Sequence, residues 1–393
     1  KMSTDKVAHM MAFNNEKDMI ESFMTTMIVK DPDMLIAWFG NFADIPKLLD
    51  RACALGLNPL IMSPIGSIKG VKSGRDGYTF AYAENGFGQI EQPIGGRITL
   101  NLDLAFERQW NDSQRGTLPS MSLDYIGEIV LNKKKLVSEK FPDTNEFYRR
   151  AWLEDTQTYL DYALKDVELI VEIDETNFCS EAILSLQRLL KAPFDACFYA
   201  SHMGSIYFMR NAWWKCKTGK RVDKREEYEG AMIYDPLSED TNGLHLNVAA
   251  FDFAGLYPSM MIARNISFET KSDEPTELGV NILTPRDFSE TTRTKMLYYK
   301  TDELGLLPRA VIELKELRNE YKRLMREARE SDNGEYAKWH NNQMAVKRLM
   351  ASFYGIVAFQ GFGWADVDLA ASITASAREA IRLAAFKAKE MEA

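Results

Sequence analysis

The 393-residue sequence predicts a multidomain protein of mixed α/β and α+β architecture, and three observations carry that expectation. The length is well beyond the ~150 residues of an ordinary domain and leaves room for two or three. Apolar residues make up 46% and charged residues 27%, the balance of a chain that folds around cores and not of a disordered, collagen-like or coiled-coil one. The apolar pattern also changes period: short apolar runs alternate with helical patterns in the first half, whereas long helical patterns dominate the second.

Residues 15–29 (NEKDMIESFMTTMIV) place Met19, Ile20, Phe23 and Met27 at helical spacing, and the DPDMLIAWFG that follows reads as a turn feeding a short buried strand. A second helix covers 44–56 and ends at Gly56, a residue suited to a C-cap. Glycines and alternation over 60–100 (GYTFAYAENG, GGRITLNL) predict hairpins, and 143–173 reads as one long helix carrying Trp152, Tyr159, Tyr162, Val167, Ile170 and Val171. Lys215, Lys217, Lys220, Arg221, Lys224 and Arg225 crowd one segment against Asp223, which marks a linker. After it, LHLNVAAFDF (244–253) is an apolar strand ending on a carboxylate. Residues 308–330 and 334–355 form a helical hairpin about Ser331-Asp332-Asn333-Gly334, and SITASAREAIRLAAFKAKEMEA is helical up to residue 393.

Composition narrows the function. With 48 Lys and Arg against 57 Asp and Glu, the net charge of −9 argues against a protein that coats nucleic acid by bulk positive charge. Cys53, Cys179, Cys197 and Cys216 form no C-x-x-C pair, which fits a reducing compartment and excludes a cysteine zinc site. No run approaches the ~20 apolar residues of a membrane span, and the start lacks a signal-peptide core. His9, His202, His245 and His340 make no H-E-x-x-H arrangement, so metal chemistry must rest on carboxylates; P-loop and complete G-x-G-x-x-G signatures are absent.

Asp252 ends an apolar strand, where charge is costly unless paired or bound to a metal. A cap on the following helix is the alternative. Arg318 and Lys322 share one helix face at i, i+4, and Lys347, Ala351 and Tyr354 share another at i, i+4 and i+7. Two basic faces joined by a hairpin can grip a triphosphate; a solvated surface of ordinary ion pairs is the alternative.

FDFAGLYPSMM resembles motif A of the family B DNA polymerases (D-x-x-S-L-Y-P-S), and KRLMASFYG resembles their motif B (K-x-x-x-N-S-x-Y-G). LPRAVIELKELRNEYK and ASITASAR stand in matching order, and YEGAMIYDP (228–236) is similar to the Y-x-G-G element between exonuclease and polymerase domains. Upstream, Trp38, Asp44, Pro46, Arg51 and Ser63-Pro64 resemble the second exonuclease motif and its flanks, and Tyr162 with Asp166 meets the Y-x-x-x-D of the third. The departures are Ala351 for asparagine, Gly255 for serine, Ala231 for glycine and Phe39 after Trp38, with Asn41 nearby. Residues 1–43, upstream of Asp44, hold no D-x-E on a strand, and no D-T-D follows motif B, so the chain is expected to be a fragment with both ends inside domains.

The resemblance implies a ribonuclease-H-like 3′–5′ exonuclease over 1–190, a linker with the Y-x-G-G-like segment over 191–230, palm over 231–305, helical-hairpin fingers over 306–360 and a return to palm over 361–393. It implies template-directed synthesis from dNTPs by two-Mg²⁺ chemistry. Asp252 and the Phe253 carbonyl would bind metal; Arg318, Lys322 and Lys347 would meet the phosphates; Leu256, Tyr257 and Tyr354 would form the nucleotide pocket, with Tyr257 excluding a 2′-hydroxyl. Core packing is the alternative for both tyrosines. Tyr228 and Gly230 would contact primer–template DNA, Asp44 and Asp166 would bind metal for hydrolysis, and Tyr162 would orient water. A sliding clamp or other replication proteins would be further partners, no membrane is expected, and the setting would be cytoplasmic, in a host if the source is phage-like. A remnant that holds DNA without turnover, or an exonuclease alone, are the other readings.

Overall fold

The computed structural model describes residues 11–81, 92–112, 116–212, 228–232, 244, 252–286, 290–332, 334–359 and 362–392. The basic segment 215–225 and most of the apolar run 244–253 lie outside the described residues. Two compact units divide the chain, Lys1–Glu181 and Ala182–Ala393, and the division falls inside the helix Cys179–Leu190, just before the expected boundary at 190.

In the first unit, helix α1 (Glu16–Lys30) starts on Asn15, whose side chain accepts the Asp18 N–H, and stops at Asp31 in the left-handed region. Its buried stripe is Ile20, Met24 and Met27, whereas Met19 and Phe23 are exposed. The stripe joins Ile45, Leu49 and Ala52 of α2 (Ile45–Ala54) in one core, which fixes the face α1 buries. Strand β1 (Met34–Ala37) is half-buried rather than buried. Val71–Gly74 (β2) and Gly77–Phe80 (β3) form the expected hairpin, but GGRITLNL does not. Its strand β4 (Ile98–Asn101) pairs parallel with β1, Met34 opposite Ile98 and Ala37 opposite Asn101, so everything between them is a crossover.

Arg97 pins that crossover. Its side chain is 3% exposed and pairs with Asp31 at 2.8 Å. Its Nε donates to the Met62 carbonyl at 2.8 Å, Nη1 to Pro32 at 2.5 Å and Nη2 to Met27 at 3.3 Å. Beyond β4 come α3 (Leu102–Asp112) and α4 (Leu123–Leu131). The long pattern over 143–173 is two helices, α5 (Thr144–Glu154) and α6 (Thr156–Asn177), because Asp155 accepts the Thr158 N–H and starts a new helix. Trp152 and Val167 face solvent.

The second unit contains most of α7 (Cys179–Leu190), then α8 (Ala200–Ala212) and α9 (Leu256–Ala263). The stretch between α9 and the helical hairpin is a three-stranded antiparallel sheet in the order β5 (Lys271–Ser272), β7 (Glu290–Tyr299), β6 (Leu278–Arg286). The hairpin itself is α10 (Leu306–Ser331) and α11 (Tyr336–Val357), turned at Asp332 and Gly334 with positive φ, and α12 (Val367–Glu392) follows. Phe208, Phe353, Phe362 and Trp364 form an aromatic core between α8 and α11.

A turn after α9 anchors the first end of α10. Glu269 Oε1 accepts the Leu306 N–H at 2.5 Å and Ser267 Oγ accepts the Leu307 N–H at 3.1 Å, which satisfies two donors a helix start leaves open. Asn265, 7% exposed and at φ 48°, receives the Gly305 N–H and donates through Nδ2 to the carbonyls of Lys300 and Glu303. No side chain fits at Gly305, where a Cβ would lie 2.6 Å from Ser267 Cβ. Replacing Asn265 with Ala removes three bonds and buries their partners unpaired, so the unfolding free energy in urea is expected to fall by about 3 kcal/mol. A fall below ~0.5 kcal/mol would show that the turn does not hold the helix.

Candidate functional site

Gly255, at φ 74°, turns the chain out of the Asp252-Phe253 segment and into α9, which packs against both α10 and α11. Its left-handed backbone suits glycine, so the departure from serine has a conformational use here. Asp252 does not cap α9: Gly255 holds the N-cap position without a side-chain bond, and the exposed Asp252 carboxylate has no hydrogen-bond or ion-pair partner among the described residues. Leu256 and Tyr257 open the helix and are half-buried.

Tyr257 stacks on Tyr354 of α11 with ring centroids 4.3 Å apart and an interplanar angle of 30°. The Tyr354 hydroxyl lies 3.2 Å from that of Tyr228. Burial and that hydroxyl contact together push the Tyr354 phenol well above its ordinary range, so it stays protonated. Next to Tyr228, Glu229 and Gly230 are fixed to α12. Arg378 Nη1 donates to their carbonyls at 2.7 and 2.6 Å, Nη2 pairs with the Glu229 carboxylate at 3.0 Å, and Thr374 Oγ1 donates to the Glu229 carbonyl at 2.8 Å.

The hairpin divides its charges into two populations. Arg323 pairs with Glu320 and Glu327, the ordinary surface pattern. Arg318, Lys322 and Lys347 have no carboxylate partner among the described residues; Arg318 donates to the Gln343 amide oxygen at 3.3 Å instead. The Lys322 ammonium is held below its usual range first by the Arg318 charge, then by burial and by Lys347 and Arg326. Burial lowers the Arg318 guanidinium too. Cations gathered across two helices without a carboxylate partner among the described residues offer the charge an anion would need. Ala351 is exposed one turn beyond Lys347, and no polar side chain stands at that position.

In the first unit, Asp44 ends a π-helical turn, Gly40–Asp44, and is exposed. The turn is seated on β4: Asn101 Oδ1 accepts the Asn41 N–H at 2.8 Å, and a Cβ on Gly40 would lie 2.9 Å from Ala37 Cβ. Asn41 is thus buried as a backbone anchor. Asp166 Oδ2 pairs with Lys135 Nζ at 2.7 Å, and the same ammonium lies 3.4 Å from the Tyr162 hydroxyl. Tyr148 reaches that hydroxyl at 2.9 Å, and burial followed by this bond pushes its own phenol up to about 12. Asp166 Oδ1 is buried with no hydrogen-bond partner. Asp124, Lys135, Phe141, Phe147 and Tyr162 line a cavity of about 260 Å³ beside them. Lys135 and Tyr148 were not anticipated; the Lys133-Lys134-Lys135 run is the only trace the sequence shows. Among the described residues no group of three His, Cys, Asp or Glu could hold a metal, so Asp44 and Asp166 are not brought into one such cluster.

The model of DNA polymerase family B matches residues 202–392, and that of the family's exonuclease domain matches residues 1–111. Asp252, Tyr257, Arg318, Lys322, Lys347 and Tyr354 fall in the first span and Asp44 in the second; Tyr162 and Asp166 lie outside both. The chain is 27% identical over 389 residues to a DNA polymerase of Pyrococcus glycovorans, covering 96% of this chain and 45% of that protein. It is 26% identical over 377 residues to the DNA polymerase delta catalytic subunit of Candida albicans, covering 93% of this chain and 34% of that one. The family B DNA polymerase of Pyrobaculum calidifontis shares its fold, with a TM-score of 0.66 at 20% identity over 94% of this chain and 45% of that structure. The chain therefore spans less than half the length of these relatives.

If the cation cluster repels itself, replacing Lys322 with Gln is expected to leave the fold intact or stabilise it by about 0.5 kcal/mol in low salt. The same change is expected to weaken binding of inorganic triphosphate roughly tenfold, by the loss of one charge-assisted contact. Thermal melts and a fluorescence titration read both; a destabilised protein with unchanged triphosphate affinity would assign Lys322 to the fold.

Proposed function

We propose that this chain, which belongs to the family B DNA polymerases, forms the nucleotide-binding part of an enzyme that extends a primer 3′-hydroxyl with dNTPs on a DNA template. Its first unit is proposed to belong to a 3′–5′ exonuclease. The observation that carries the reading is the set of cations Arg318, Lys322 and Lys347, which have no carboxylate partner among the described residues, on helices that pack against the Tyr257 helix. Phosphoryl transfer asks the protein for positioning and electrostatic stabilisation more than for covalent help. The three cations would take the triphosphate, and the Tyr257 ring would lie under the sugar, where a 2′-hydroxyl would collide with it.

The unpartnered Asp252 carboxylate and the Phe253 carbonyl are oxygen donors of the kind Mg²⁺ prefers, although no further carboxylate joins them among the described residues. When bound, the ions of such a site lower the barrier to deprotonating the attacking hydroxyl and neutralise the departing pyrophosphate. In the first unit the Asp166 carboxylate is already paired with Lys135, which also holds the Tyr162 hydroxyl near it.

Primer extension by the protein from its complete reading frame is the direct test. Asp252→Asn is expected to slow incorporation by roughly a thousandfold, the several kcal/mol a metal ligand supplies, with primer–template affinity nearly unchanged. Retained extension would remove Asp252 from the reaction. Asp166→Ala is expected to abolish degradation of a single-stranded 3′ end and to spare synthesis. Equal loss of both activities would show that Asp166 supports the whole protein and not hydrolysis.

A further inference from the structure

We propose that Tyr228 is a positioning residue for sugar selection: its hydroxyl holds the Tyr354 hydroxyl, and Tyr354 sets the plane of the Tyr257 ring. The inference rests on the polymerase reading above and deepens it. Tyr228 was expected to touch DNA, yet its hydroxyl is within hydrogen-bond distance of Tyr354. The segment that carries it is held firmly. Arg378 is 6% exposed at its side chain and Thr374 is buried, and both donate to the backbone of residues 229 and 230. A buried guanidinium gives up such partners only at high cost, so residues 229 and 230 are fixed to α12.

From there a continuous set of contacts runs through the Tyr228 hydroxyl to Tyr354 and by ring stacking to Tyr257. Rings 4.3 Å apart and 30° from parallel cannot rotate independently. Exclusion of one hydroxyl group depends on placing that ring to a fraction of an ångström, and a misplacement of about 1 Å can cost a hundredfold in rate. The gate is thereby referenced to the palm helix α12 through the segment between the two activities. A direct DNA contact is the competing role, and it predicts a different result.

The test is single-nucleotide primer extension by the protein from its complete reading frame, with kcat/KM measured for a dNTP and the matching rNTP. Parent, Tyr228→Phe, Tyr354→Phe and the double variant are compared. Tyr228→Phe is expected to lower the dNTP-over-rNTP ratio roughly threefold to tenfold, the equivalent of one neutral hydrogen bond, mainly through a gain for the ribonucleotide. The double variant is expected to discriminate no worse than Tyr354→Phe, since both changes remove the same bond. An unchanged ratio, or losses that add in the double variant, overturns the inference. So does a weaker primer–template Kd with the ratio intact, which assigns Tyr228 to DNA. A parent protein that extends no primer overturns the polymerase reading together with this one; a parent that excludes ribonucleotides as well as Tyr228→Phe does overturns this one alone.

Discussion

Mutual repulsion among Arg318, Lys322 and Lys347 is the constraint on the second unit, because a helical hairpin that carries it cannot be held together by its charged faces. It is held by its seam and its ends. Leu307, Ala310, Val311 and Leu314 of α10 are buried with Ala345, Val346, Leu349 and Phe353 of α11. Each large apolar side chain so buried contributes about 1.5–3 kcal/mol, whereas a like-charge pair at i, i+4 costs only a few tenths. The seam therefore wins by a wide margin, and the hairpin tolerates the repulsion among its cations. The ends matter for a different reason. Asn265, Ser267 and Glu269 fix where α10 begins, and with it the direction in which Arg318 and Lys322 point.

The first unit solves the opposite problem with the same residue type. Arg97 is a buried cation, and it is tolerated because three carbonyls and Asp31 take its donors. Those partners come from the end of α1, the turn before β1 and the short helical turn Pro59–Met62. They lock β4 in register beside β1, and Asn101 at the far end of β4 then holds the π-helical turn that presents Asp44. The exposed carboxylate thus depends on a buried cation a strand away.

Signals that rest on local chemistry were legible from residues alone. The helical hairpin, its polar turn, the α1 and α2 spans and the grouping of Arg318, Lys322 and Lys347 all follow from helical spacing and turn residues. What depends on pairing partners far along the chain was not. The period-2 pattern of GGRITLNL is the same for a hairpin arm and for a parallel strand, and only the crossover decides between them. The break between α5 and α6 hides in a helical apolar period that reads on through it, because the only mark of the restart is one aspartate cap. Lys135 was invisible for the same reason: a lysine in a basic run carries no mark of the carboxylate it will meet on another helix.

Of the three acidic residues proposed for chemistry, Asp252 and Asp166 stand in contrasting states. Asp252 is exposed and unpartnered among the described residues, so its carboxylate can accept a hard cation without breaking any bond. Asp166 has one oxygen on Lys135 at 2.7 Å and the other buried and unsatisfied, so Oδ2 can ligate a cation only after the ammonium moves. Both side chains of the pair are about a quarter exposed, 27% and 26%, so water can replace part of what each loses when they separate. Lys135 also touches Tyr162, so its displacement would release the hydroxyl and the carboxylate together. One lysine thereby touches both groups proposed for hydrolysis, whereas Asp252 in the other unit has no such partner among the described residues.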